Sequence, residues 1–272
     1  MTLHNKYMHF NAEGYAPSDA LARFPLLAQE GKAARCSEKY VHISTAEIVE
    51  RMAAENFELT GVTIQRKRDE ANQMFAAHML RWRYRGGNGI GEVASFDVIG
   101  MNSFDASRAF VFAAGMTVRA CLNGCIFGET FERFKVYHTA NALDKVSDGV
   151  ARILSQGPRV ADSVEAMRAR MLTANEQDEF AARALALRYP EADKAPVTPR
   201  ALLIAKRRED DGATLWQAFN KAQEHLIRGG LKQVTIGANG RQRQRSVRAV
   251  RGIDANVKLN GALLDLALEY AA

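Results

Sequence analysis

The sequence predicts an α+β fold with an antiparallel sheet in the N-terminal half and helices plus a basic β-hairpin in the C-terminal half. Three observations carry this. Hydrophobic residues alternate with period two from about residue 57 to 138, and recur with a period near 3.6 after residue 139. The loops between the predicted strands are short, so consecutive strands pair as antiparallel hairpins. Strands and helices are also segregated along the chain, as α+β folds require.

Residues 1–39 read as an N-terminal arm, irregular apart from one short helix, ahead of a single domain over 40–272. That domain is sheet-rich over 40–138 and helix-rich over 139–272. Ser44 and Glu47 form a capping box that opens a helix ending near Asn56. Strands follow over Phe57–Arg66 and Met74–Tyr84, the second placing Arg81, Arg83 and Arg85 on one face and Trp82 and Tyr84 on the other. After the Gly86-Gly87-Asn88-Gly89 turn come strands at Val93–Met101, Arg108–Ala113, Met116–Leu122, Cys125–Gly128 and Phe131–His138.

Helices are predicted over 141–155, then 160–171 after a break at Pro158. A third, opened by the Thr173/Glu176 capping box, runs to Arg188, and a fourth from Thr198-Pro199 to Arg208. Ala213–Ile227 carries Leu215, Trp216, Phe219, Ala222 and Leu226 on one stripe and stops at Gly229-Gly230. Gln233–Ile236 and Arg243–Val250, joined at Ala238-Asn239-Gly240, form a hairpin, and Asp254 caps a final helix.

Composition narrows the class. The chain has 272 residues, 47% hydrophobic and 25% charged, which is globular. No apolar run approaches the roughly 20 residues of a membrane helix, the first residues lack a signal-peptide core, and three cysteines make no disulfide scaffold. The expectation is a soluble protein of a reducing cytoplasm.

The net charge of +6 is not spread evenly. Residues 1–150 are balanced, with 17 basic and 17 acidic side chains, so the excess lies beyond them. It concentrates between Lys221 and Lys258, where nine basic residues face only Glu224 and Asp254. Such a cluster attracts polyanions, and arginine grips phosphate in bidentate fashion. The candidate nucleic-acid contacts are Arg228, Lys232, Arg241, Arg243, Arg245, Arg248 and Arg251 on and around the hairpin, and Arg81, Arg83 and Arg85 on the sheet. Trp82, Tyr84 and Trp216 are the candidates for stacking on bases.

Enzymatic motifs are weak. There is no P-loop or nucleophile elbow, and the histidines show no metal-binding spacing. Cys121 and Cys125 with His138 would be scattered by strand geometry, so buried thiols are the better reading. Two polar clusters stand out instead. One is Asn102-Ser103-Phe104-Asp105 between two strands, residue types that also form ordinary turns. The other is Asn220, Gln223 and Glu224 on a helix; uncharged amides there either read bases or pin the helix internally.

These residues carry a resemblance. Asn102, Ser103 and Asp105, then Arg119, Cys121, Asn123 and Gly124, then His138, are similar to the motif string of a phage- and plasmid-borne family. So are Arg207, Arg208, Glu209 and Asp210, Trp216, Asn220, the run Gln223 to Gly230, Arg248 and Asn260. The family is the phage/plasmid-like proteins, or domain of unknown function 932, and the resemblance spans roughly 40–270. Phe104 stands where the family often has histidine, and Ala106 where it has glycine. The resemblance implies residence on mobile elements, among recombination, single-strand-binding and anti-restriction genes, and no established activity.

The leading expectation is therefore a protein binding nucleic acid, single-stranded DNA first, in phage or plasmid recombination or DNA maintenance. Its partners would be a homo-oligomeric copy and phage or plasmid recombination proteins, and it needs no catalytic residue, cofactor or metal. The alternatives are an anti-defence protein that blocks a host factor, and a metal-dependent nuclease using Asp105, His138, Glu209 or Asp210.

Overall fold

A computed structural model describes residues 8–86, 89–90, 94–118, 123–126, 133–139, 142–236 and 242–272. Their contacts divide at Pro158/Arg159 into two compact units. Among them no helix is long and apolar enough to cross a membrane.

The first unit is built on an antiparallel sheet of β1 (Met8–Tyr15), β2 (Phe57–Ile64), β3 (His78–Tyr84), β4 (Gly89–Ile90), β5 (Ala94–Asn102), β6 (Phe110–Val118), β7 (Asn123–Ile126) and β8 (Arg133–Val136). The order is β1-β2-β3-β5-β6-β7, with β4 also on β5 and β8 also on β6. All nine residues of β5 are buried, so the sheet centre is covered on both faces, and its sequence is correspondingly near-continuous in apolar and small residues. Two helices supply cover, α2 (Thr45–Ala54) on β2 and α3 (Ala142–Leu154) on β5, β6 and β8. A short helix, α1 (Pro17–Arg23), packs beside α2. Ser44 Oγ accepts the Glu47 amide and starts α2 where the capping pair placed it.

The structure departs from the expected elements in this unit at three points. Met8–Tyr15 is a strand, not irregular arm; its alternation is obscured by a bulge between Phe10 and Tyr15, with Gly14 at φ 77°. Glu70–Phe75 is a 3₁₀ turn capped by Asp69, so β3 begins at His78 rather than Met74. The two strands expected at 108–113 and 116–122 are one strand, β6, because Ala114 and Gly115 stay in the ladder opposite Val98 and Asp97.

The second unit contains α4 (Gly157–Ala169), α5 (Ala174–Arg188), α6 (Leu215–Gln223) and α7 (Ile253–Ala271), with a two-stranded ribbon of β9 (Lys232–Ile236) and β10 (Gln242–Ser246). Pro158 occupies the first turn of α4, where its missing N–H costs nothing. Thr173 and Glu176 make the full reciprocal capping box of α5, and Thr214 and Gln217 make another for α6. The predicted apolar stripe of α6 is buried: Leu215, Phe219, Ala222 and Leu226 at 0% exposure and Trp216 at 7%.

Here too the expected boundaries shift. The helix predicted from Thr198 to Arg208 is only a 3₁₀ run, Pro199–Leu203, and a second 3₁₀ turn, Arg208–Asp210; the Thr198 side chain makes no capping bond. After Gln223 the backbone widens into one π-helical turn, Glu224–Arg228. The N-cap of α7 is Gly252, with Asp254 inside the first turn.

Candidate nucleic-acid interface

Of the sheet arginines, Arg81 is structural. Arg81 is 7% exposed, and its Nη1 lies 2.7 Å from Asp97 Oδ2 and donates to Met116 O at 3.1 Å. Arg83 donates to Ser95 Oγ at 3.2 Å and to Ala12 O at 3.2 Å, and Arg85 pairs with Glu58. The expectation that these three form a phosphate-holding row is corrected at Arg81, which is buried on Asp97; Arg83 is half-buried and internally bonded, and Arg85 is exposed beside Glu58. Trp82 and Trp216 are likewise buried, at 0% and 7% exposure, and offer no platform for bases. Tyr84 is half-buried against Phe57, ring centroids 5.0 Å apart.

The first polar cluster does assemble. Asn102 Nδ2 donates to Ile43 O at 3.1 Å and to Thr45 Oγ1 at 3.0 Å, and its Oδ1 accepts the Ser103 amide. Thr45 Oγ1 lies 2.9 Å from His78 Nε2, and His78 Nδ1 lies 3.0 Å from Ala76 O. The network assigns the Nδ1–H tautomer to a neutral His78. Complete burial holds its pKa down to about 4.

Asp105, 3% exposed, pairs with Lys67 at 2.6 Å and Arg35 at 3.0 Å, and its Oδ1 accepts the Ser107 amide. Burial alone would raise its pKa; the bonds from Lys67 and Ser107 outweigh it and hold it at about 2. Ala106 has φ 57°, the left-handed backbone that favours glycine. His138 joins through Tyr40: the rings stack at 4.4 Å, Tyr40 Oη donates to Ser103 O at 2.9 Å, and His138 Nδ1 lies 3.0 Å from Val41 O. Burial lowers the His138 pKa.

Asn102, Ser103, Asp105 and His138 thus converge, but onto the segment 33–45. With Asp105 neutralised by two cations, the geometry is that of a clasp holding this segment to the β5–β6 loop.

The second cluster also forms. Arg207 Nη2 is 2.5 Å from both Asp210 Oδ2 and Glu224 Oε2, and Lys206 Nζ is 3.9 Å from Glu224 Oε1. Gln223 Nε2 donates to Asn260 Oδ1 at 2.9 Å, and Asn260 donates to Asn256. Asn220 is 1% exposed. Arg208 points to solvent instead. Gln223 therefore pins α6 to α7 through Asn260, Asn220 is buried rather than presented as a reading face, and Asp210 and Glu224 are consumed by Arg207. Among the described residues no group of three or more His, Cys, Asp or Glu side chains is placed to hold a metal ion.

The hairpin is where exposed charge gathers. Arg228, Lys232, Arg245, Arg248 and Arg251 are exposed. Arg119 and Arg241 lie outside the described residues, as do the side chains of Asn123 and Arg243, which pair in register with Val118 and Thr235. The ribbon root is fixed by backbone crossing. Gly230 N donates to Val247 O at 2.8 Å, and Val247 N to Leu231 O at 2.9 Å. Gly229 has φ 71°, and a Cβ there would sit 2.6 Å from Val247 O. The Arg188 guanidinium donates to Leu226 O and, at 2.7 Å, to Arg248 O, while Lys206 Nζ donates to Gly229 O at 3.4 Å.

The ribbon has two unlike faces. In register Arg245 faces Gln233, and Gln244 faces Val234. The Gln233/Arg245 face is docked: Gln233 Oε1 accepts the Thr198 amide at 2.6 Å, and Arg245 donates to the carbonyls of Asp193, Lys194 and Ala195 at 3.1–3.3 Å. The other face presents Lys232, Val234, Gln242, Gln244 and Ser246 to solvent, Val234 at 55% exposure. The sequence reading singled out only the basic members of this hairpin. Its signal for the rest was present in Gln242-Arg243-Gln244-Arg245, whose alternation on a strand separates glutamines from arginines.

Comparisons with known proteins agree with the motif string. Two relatives in Escherichia coli strain K12, the UPF0380 proteins YfjQ and YafZ, are 34% and 33% identical to this chain over 239 residues, covering 88% of it and 85% of each relative. No solved structure matches significantly. The family model described as domain of unknown function (DUF932) matches residues 33–264, from the clasp segment to the middle of α7, and the chain belongs to that family.

Proposed function

We propose that this protein binds nucleic acid through the β9–β10 ribbon and its root, serving phage or plasmid DNA recombination or maintenance in the bacterial cytoplasm without chemistry of its own. One observation carries the reading. Residues 225–253 hold seven basic side chains and no acidic one, and Arg228, Lys232, Arg245, Arg248 and Arg251 among them are solvent-exposed. An acid-free stretch of that length anchored on a rigid root is a polyanion grip. Arg245 is partly spent on the 193–195 carbonyls, so the principal phosphate contacts fall to Lys232, Arg248 and Arg251. Of the three aromatic candidates for stacking on single strands, Trp82 and Trp216 are buried and Tyr84 is half-buried against Phe57, which weakens the support for a single-strand preference.

The test is fluorescence anisotropy with labelled single-stranded and duplex DNA across a salt series. Affinity should fall linearly on a log–log plot, and Arg248→Ala with Arg251→Ala should reduce the slope by about two. Arg188 bonds Arg248 through the backbone carbonyl, and bonds Leu226 O as well, so the double variant keeps these root bonds. Failure to bind either DNA, or an unchanged slope in the double variant, overturns the proposal.

A further inference from the structure

We infer that the β9–β10 ribbon reads duplex DNA from the major groove, through the face formed by Lys232, Val234, Gln242, Gln244 and Ser246. This rests on the nucleic-acid reading above and specifies its substrate.

Orientation comes first. Docking of Arg245 and Gln233 onto residues 193–198 leaves one ribbon face for a ligand, and that face is exposed at all five positions. Its chemistry is not that of a backbone grip. Two glutamine amides two residues apart on β10 carry paired donors and acceptors, which match the N6/N7 edge of adenine. Ser246 donates or accepts, Lys232 suits the acceptor edge of guanine, and the exposed Val234 methyls suit the thymine methyl group.

Size agrees. Five-residue strands span about 17 Å and lie about 4.8 Å apart, and a two-stranded ribbon enters a B-DNA major groove about 12 Å wide. Exposed Arg228 and Arg248 lie within two residues of the root in sequence, with Arg251 close behind, and their charge is complementary to the phosphate backbone.

The same residues argue against other nucleic acids. Residues 227–251 contain no phenylalanine, tyrosine or tryptophan, so nothing on the ribbon stacks unpaired bases. Duplex RNA has a deep, narrow major groove that side chains do not read.

Selection from a random duplex library, followed by anisotropy titration, tests this on the full chain. The probes are the selected duplex, its scrambled version, its single strands and the RNA duplex of the same sequence. The wild type should favour the selected duplex over all three by at least about tenfold. Gln242→Ala with Gln244→Ala should lose about 10- to 100-fold on the selected duplex, with scrambled-duplex affinity and salt slope unchanged. Among the described residues those side chains make no hydrogen bond that holds the ribbon to the rest of the unit, and circular dichroism checks that the variant is folded. Equal or tighter binding to single strands, or a glutamine variant that keeps its preference, overturns the groove reading while leaving nucleic-acid binding in place. Absence of binding to every probe overturns both.

Discussion

Arg81 Nη1 sits 2.7 Å from Asp97 Oδ2 on neighbouring strands, and the two side chains are 9% and 0% exposed. Thr117 Oγ1 donates to the same carboxylate oxygen, and Met116 O takes a second bond from Arg81, so one ion pair ties β3, β5 and β6 together. Breaking such a pair leaves a buried charge with no counter-charge, which costs far more than the pair itself contributes.

Asp97→Asn should therefore destabilise the first unit by about 3–5 kcal/mol. Replacing both partners, as Arg81→Met with Asp97→Leu, should cost less than the single change, because no charge is left in the core. Urea denaturation of the two variants decides it. A double variant less stable than Asp97→Asn would show that the pair contributes more than its desolvation costs. Because Arg81 is buried, the double variant should also bind DNA with wild-type affinity.

Acid stability follows from the clasp. His78 is neutral in the fold with a pKa of about 4, against an ordinary 6.5. Between those values the unfolded chain binds the proton and the native state does not, so stability is full above pH 6.5 and falls as pH drops toward 4. A gap of this size is on the order of 3 kcal/mol. Burial depresses His42 and His138 in the same direction and steepens the fall. Asp105, held at about 2 against 3.8, adds a second loss below that window. His78→Gln should flatten the decline between pH 6.5 and 4, read from urea midpoints across pH. An unchanged decline would assign the upper window to other groups.

Much of this architecture is legible in the residues. The switch of period near residue 139, the capping pairs at Ser44 and Thr173, and the Leu215/Phe219/Ala222/Leu226 stripe are local signals, and local signals place elements well. What local pattern does not carry is which polar residue is spent on which partner. Arg81 looks like a surface cation because strand alternation gives two faces without saying that both are covered at the sheet centre. Residues 8–15 look irregular because the partner that makes them a strand, β2, begins some forty residues later. The convergence of Asn102, Ser103 and Asp105 with His138 rests on Tyr40, which no motif contains. The ribbon shows the reverse: its charge is plain from composition, while its exposed glutamine face appears only once Arg245 is seen docked on the 193–195 carbonyls.

Asn220 separates a positioning role from an idle one in the second cluster. It is 1% exposed, and neither its Oδ1 nor its Nδ2 has a hydrogen-bond partner among the described residues. Gln223, three residues on, bonds Asn260 at 2.9 Å. A buried amide that makes no bond costs its desolvation and returns nothing, whereas removing one that does bond strands its partner. Asn220→Leu should accordingly be neutral or stabilising, since Leu has the same branched heavy-atom skeleton and carries no polar group to desolvate. Gln223→Leu should cost about 1–3 kcal/mol, because Asn260 Oδ1 is left buried without its donor. Urea midpoints of the two single variants separate these outcomes. If Asn220→Leu proves the more damaging, its amide is engaged in the folded protein, and α6 is held at Asn220 rather than at the Gln223–Asn260 bond.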